Sequence, residues 1–167
     1  MAAEELYAYS RVDLDVEILP ENGVRCRPSI NANFKFTKTA IILQWLRRIE
    51  RQPSKTSAAA AVLEQFELLA FSGFEPETAR SFNQQLERLM ELTDAINELM
   101  TNKAIPEGVA VRTGLGLAER WFETALGEGP LVTRATVMYG AEMVQIIHEE
   151  MKRIGEMVGQ AVFKGRA

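Results

Sequence analysis

Three sets of side chains in this sequence could do chemistry: the one histidine, His148, the one cysteine, Cys26, and a crowd of cations near the front. A nucleophilic triad needs histidine beside a nucleophile and an acid, and a zinc site needs several His or Cys ligands. A ferritin-like di-iron site needs two Glu-x-x-His pairs, which one histidine cannot supply. His148 falls on an apolar helical stripe and is expected to pack there, not to ligate. Cys26 is expected to be a buried, inert thiol. Its neighbours Arg25 and Arg27 would point to the opposite face of a strand and so could not lower its pKa.

The glycines Gly114 and Gly116 follow Val109-Ala110-Val111 and offer part of a dinucleotide-binding loop. The third glycine is missing and no strand-helix-strand context surrounds the pair, so a flexible lead-in to a helix is the expectation. No phosphate-binding P-loop is present. No cofactor and no metal are expected.

The cations are the best lead. Arg25, Arg27, Lys35, Lys38, Arg47, Arg48, Arg51 and Lys55 stand against Glu50 alone in residues 24–55. Residues 1–23 carry six acids against Arg11, and residues 56–108 carry nine acids against three bases. The net charge of −4 conceals this segregation. Such a block can hold phosphates electrostatically, or it can meet an acidic protein surface. Exposed aromatics of the kind that stack on bases are not interleaved with it, so nucleic-acid contact would carry little sequence preference.

The elements that would position these residues begin with an alternation. Val12, Leu14, Val16 and Ile18 alternate with acids. Val24, Cys26, Pro28, Ile30, Ala32, Phe34 and Phe36 alternate with polar residues. A period of two is the pattern of strands with one apolar face. Pro20-Glu21-Asn22-Gly23 between the runs predicts a turn, with Gly23 in the left-handed conformation. The expectation is a long antiparallel β-hairpin over residues 7–36, an arm whose apolar face must be covered by its own helices or by a neighbour.

Beyond it the period changes to that of helices. Thr37 or Thr39 would cap the first, which carries Ile42, Trp45, Leu46 and Ile49 inward and ends at Pro53. A second, from Ser54–Ser57 to Gly73, buries Ala59, Val62, Phe66, Leu69 and Ala70. A third starts at Pro76 and carries a seam of Phe82, Leu86, Leu89, Thr93, Ile96 and Met100. Glu87, Glu91 and Glu98 fall on its polar side. Residues 101–116 are expected to be loop, with a short helix near 115–126. A long helix over about 131–163 has Val137, Ala141, Val144, His148, Met151, Val158 and Val162 along one stripe. Gly155 and Gly159, four apart, would permit a tight helix crossing.

The predicted fold is therefore mainly α with a small β part (α+β): one domain over 1–167, with a hairpin arm at 7–36 and a four- to five-helix bundle at 38–163. Met1–Tyr9 lacks the basic and apolar regions of a signal peptide, no apolar run spans a membrane, and one cysteine forms no internal disulfide. A cytoplasmic location is expected. The expected function is that of a non-enzymatic architectural subunit, which self-associates or joins a larger protein assembly through the hairpin and bundle surfaces. The alternative is an accessory subunit that binds nucleic acid through the basic segment 25–55.

Overall fold

A computed structural model describes residues 2–14, 23–52, 56–72 and 74–164. These form six helices: α1 (Ala2–Ser10), α2 (Gly23–Glu50), α3 (Thr56–Phe71), α4 (Pro76–Thr101), α5 (Glu107–Leu126) and α6 (Pro130–Lys164). No strand occurs among the described residues.

The α+β expectation with its β-hairpin is thus corrected to an all-helical fold. Residues 23–36, assigned above to a second strand, are the first half of α2. The turn residues Pro20-Glu21-Asn22 and most of the first expected strand lie outside the described residues. Thr37 and Thr39, expected to cap a helix, are buried inside α2.

The reason is visible in which positions are buried. Ile30, Asn33, Phe34, Thr37, Lys38 and Ile41 are buried, a spacing of three and four that only a helix produces. The alternating pattern misleads because three members of this face are polar. Asn33 donates from Nδ2 to the carbonyl of Trp121 at 3.2 Å, and Lys38 is bound to carbonyls near the end of α1. Polar residues with internal partners can occupy a core face at modest cost. A helix also satisfies its own backbone, whereas a two-stranded ribbon leaves two open edges. Pro28 sits six residues into α2, where its nitrogen cannot donate to the carbonyl one turn earlier.

The second correction concerns residues 107–116, expected to be loop. They are the first half of α5, despite Gly108, Gly114 and Gly116. Gly114 is buried, and a Cβ there would lie 3.5 Å from Leu99 Cδ2 of α4, so a small residue suits the packing.

The described chain divides into two compact units, each with its own set of helical segments. The first comprises residues 1–12, 36–90 and 152–167. Here α1 packs on α3 through a face that buries Ala3 and Leu6. The second half of α2 buries Ala40, Ile41, Ile42, Leu43, Leu46 and Ile49, and α3 buries Ala59, Leu63 and Phe66. Gly155 of α6 meets Trp45 so closely that a Cβ would stand 2.8 Å from Cζ2.

The second unit comprises residues 13–35 and 91–151. Its core draws Leu92, Ile96 and Leu99 from α4, Leu117, Ala118, Trp121 and Phe122 from α5, and Val132, Ala135, Met143, Val144 and Ile147 from α6. Trp121 and Phe122 meet edge to face at 5.3 Å. Gly140 of α6 lets α5 approach, since a Cβ would fall 3.0 Å from Leu115 Cδ2 and 3.3 Å from Ala118 Cβ.

Candidate functional site: an apolar groove on the first unit

The described members of the basic block differ in exposure and in partners. Lys38 is buried, 2% exposed. Its ammonium donates to the Tyr9 carbonyl at 2.8 Å and to the Val12 carbonyl, and lies 5.0 Å from the centre of the Tyr9 ring. A cation at the C-terminal end of α1 satisfies carbonyls that the helix itself leaves without donors. Lys38 is committed to holding α1, not to a phosphate.

Lys35, half-buried, forms an ion pair with Asp13 at 2.7 Å. Arg47 reaches Glu67 at 3.7 Å with one nitrogen and Met90 Sδ at 4.0 Å with another. Arg48 is exposed and lies 5.2 Å over the Trp45 ring. Arg27 and Arg51 are exposed. The side chain of Arg25 and the whole of Lys55 lie outside the described residues, as does the side chain of Cys26.

Arg47 points instead to a site that charge patterning did not single out. With Glu64, Glu67, Leu68, Phe71, Ser72, Ala79 and Asn83 it lines a groove of about 570 Å³ in the first unit. Glu64, Glu67, Leu68 and Phe71 come from α3 at spacings of three, four and seven, so one helical face supplies them all. Ala79 and Asn83 come from the first two turns of α4.

The groove is firm on its aromatic side. Phe82 of α4 touches three other phenylalanines: Phe36 at 4.9 Å, Phe71 at 5.1 Å and Phe74 at 4.9 Å between ring centres. Phe71 and Phe74 also meet edge to face at 6.4 Å. Tilted and edge contacts of this kind contribute about 0.5–1.5 kcal/mol per pair beyond burial. They hold Phe71 where it lines the groove. Leu68, by contrast, is 67% exposed and presents most of its side chain to water.

His148 is buried. Gly114 and Gly116 lie inside α5, not in a phosphate-binding turn. Glu87, Glu91 and Glu98 are exposed. Among the described residues no group of three or more His, Cys, Asp or Glu is arranged to hold a metal ion, and no described helix is long and apolar enough to cross a membrane.

The chain matches no protein-family model, no curated protein and no solved structure.

The groove had one faint sequence signal. Leu68 breaks the stripe of α3, since Ala59, Leu63 and Phe66 define the buried face and Leu68 falls off it. An isolated off-stripe leucine is common on protein surfaces, so the signal becomes specific only when Phe71 and α4 are seen beside it.

Proposed function

We propose that this chain is a non-catalytic interaction subunit that docks an amphipathic helix in the groove between α3 and α4. The observation that carries this reading is Leu68, largely exposed beside Phe71 in a groove whose other lining includes two carboxylates. Helix-in-groove recognition uses apolar anchors at i, i+3, i+4 and i+7 laid against an apolar cleft, with charge at the rim for orientation. The aromatic contacts of Phe82 support it further, because a pre-formed cleft lowers the ordering cost of binding.

The alternative, electrostatic binding of nucleic acid, draws less support. Of the eight cations expected to act together, Lys38 is buried, while Lys35 and Arg47 hold carboxylates. Phosphate affinity scales with the number of cations that can reach the backbone, and this reduces it.

A fluorophore-labelled helical peptide tests the reading, with leucines at i, i+3, i+4 and i+7 and lysines flanking them. Anisotropy should show saturable binding to the full chain, weakened about tenfold or more by Leu68→Asp. Absence of saturable binding, or binding indifferent to Leu68→Asp, removes the groove from consideration.

A further inference from the structure

The groove has two unlike ends. Phe82 of α4 meets Phe71, and Ala79 lies one turn before Phe82, so Phe71 and Ala79 mark one end. Arg47 touches both Glu67 of α3 and Met90 of α4, and Met90 lies two turns beyond Phe82. Glu67 and Arg47 therefore lie toward the other end. Glu64, one turn before Leu68, is further along α3 in that direction. Along α3 the order is Phe71, Leu68, Glu64: two apolar side chains, then a carboxylate.

The charges at the polar end are not equivalent. Glu67 and Arg47 stand 3.7 Å apart and offset each other. Glu64 is exposed, and among the described residues its carboxylate has neither an ion pair nor a hydrogen bond. Helix α3 carries these two acids and no base, while the stretch of α4 in the same unit balances Glu77 and Glu87 with Arg80 and Arg88. The groove thus presents one uncompensated negative charge at a fixed distance from two apolar side chains. Val137 and Ala141 of α6, expected to face inward, are exposed instead, Val137 by 78%. That bare face fixes neither the charge nor the spacing of what would cover it, whereas the groove fixes both.

Resting on the reading of the groove as a helix-docking site, we propose that its partner is a basic amphipathic helix running antiparallel to α3, with apolar anchors at i and i+3 and a lysine or arginine at i+7. The spacing comes from α3. Phe71 and Glu64 are seven residues apart, a rise of about 10.5 Å, which the partner covers in two turns. Its first anchor meets Phe71, its second meets Leu68, and its cation meets Glu64. Position i+7 carries the cation in place of a further anchor. The antiparallel direction puts that cation at the C-terminal side of the motif, where a helix's own dipole favours positive charge. An acidic helix is turned away, because its carboxylate would face Glu64 while Arg47 is engaged by Glu67. Exposed ion pairs add little affinity, so this charge selects the partner more than it tightens the complex.

Three helical peptides, titrated into the full chain and followed by anisotropy, test this. All carry leucines at i, i+3 and i+4, and they differ only at i+7, which is lysine, glutamine or glutamate. The lysine peptide should bind saturably, and the glutamate peptide about threefold or more weaker. Glu64→Lys alters an exposed position, so the circular dichroism should not change, while the order of the lysine and glutamate peptides should reverse. At about 1 M salt the difference between them should vanish. No saturable binding of the lysine peptide, equal affinity for lysine and glutamate, or an order that Glu64→Lys leaves unchanged overturns the proposal. If binding depends on Leu68 but not on the charge at i+7, the groove stands as a docking site and this partner is ruled out. If no peptide binds at all, both are lost.

Discussion

The ammonium of Lys38 in α2 holds the carbonyl of Tyr9 in α1 at 2.8 Å, and with it the carbonyl of Val12. A buried cation thereby closes the C-terminal end of the first helix. Arg153 of α6 adds a donor to the Tyr9 hydroxyl at 3.3 Å, so Tyr9 is gripped at its backbone and at its ring.

Replacing Lys38 by Met keeps the stem volume and removes the donor. The Val12 carbonyl loses its bond to the ammonium, and the Tyr9 carbonyl loses the ammonium while the Val12 amide still donates to it. Stability should fall by about 2 kcal/mol, the cost of stripping a charged donor from part-buried carbonyls. A urea titration measures the loss, and limited proteolysis should cut earlier within residues 1–14. An unchanged midpoint together with an unchanged cleavage rate would refute the clamp.

Gly155 and Gly159 predict opposite signs. A Cβ at 155 would press on Trp45 Cζ2 at 2.8 Å, so Gly155→Ala forces the indole to shift and should cost about 1–3 kcal/mol. At 159 the nearest atoms are those of Phe163 at 3.9 Å, ordinary contact. Gly159→Ala should therefore stabilise α6 by about 0.5–1 kcal/mol through helix propensity. Thermal melts of the two variants give the signs directly, and Trp45 fluorescence should move only for Gly155→Ala. Equal effects in one direction would contradict the packing.

Phe82 and Phe74 form another graded pair. Phe82 contacts three rings and Phe74 two, and Phe74 is 38% exposed. Phe82→Ala should lower stability by about 3 kcal/mol, near the low end for aromatic truncation because Phe82 is only half-buried, and Phe74→Ala by less than half of that. Groove-peptide affinity should drop in Phe82→Ala even below its melting temperature, since Phe71 loses the ring at 5.1 Å that positions it. Peptide affinity unaffected by Phe82→Ala would show that Phe71 needs no such support.

The electrostatic alternative makes its own forecast. Mixed-sequence RNA titrated into the chain at low salt should give no appreciable anisotropy change, because Lys35, Lys38 and Arg47 are engaged within the protein. Strong binding that falls steeply with salt, and that disappears on charge reversal of Arg48 and Arg51, would restore the nucleic-acid reading.

Where the apolar spacing ran long and unbroken, the sequence was a good guide. Of the seam predicted in α4, Leu86, Leu89, Thr93 and Ile96 are buried, while at its ends Phe82 is half-buried and Met100 is exposed; the helix begins at Pro76, as the fixed proline dihedral favours. Helix α6 spans Pro130–Lys164, near its predicted limits. Of the four residues expected to face inward in the helix before Pro53, Ile42, Leu46 and Ile49 are buried and Trp45 is half-buried.

The N-terminal segment failed for a physical reason. Alternation and helical spacing share every fourth residue, so Ile30 and Phe34 fit both patterns. The arbiters were Asn33, Thr37 and Lys38, polar residues that a sequence scan places in water and the fold places inside. Their partners, the Trp121 carbonyl for Asn33 and the Tyr9 and Val12 carbonyls for Lys38, are 88, 29 and 26 residues away. No local pattern reports them.

By itself, then, the chain's sequence determined that helices would dominate from residue 38 onward, and where the strongest of them run, because burying an apolar stripe drives that choice locally. Only the tertiary structure decided that residues 23–36 are helical, that Lys38 faces inward, and that Leu68 and Phe71 share a groove with α4. Those outcomes depend on which distant groups are present to receive a hydrogen bond or cover a ring, and distance in space is not written in spacing along the chain.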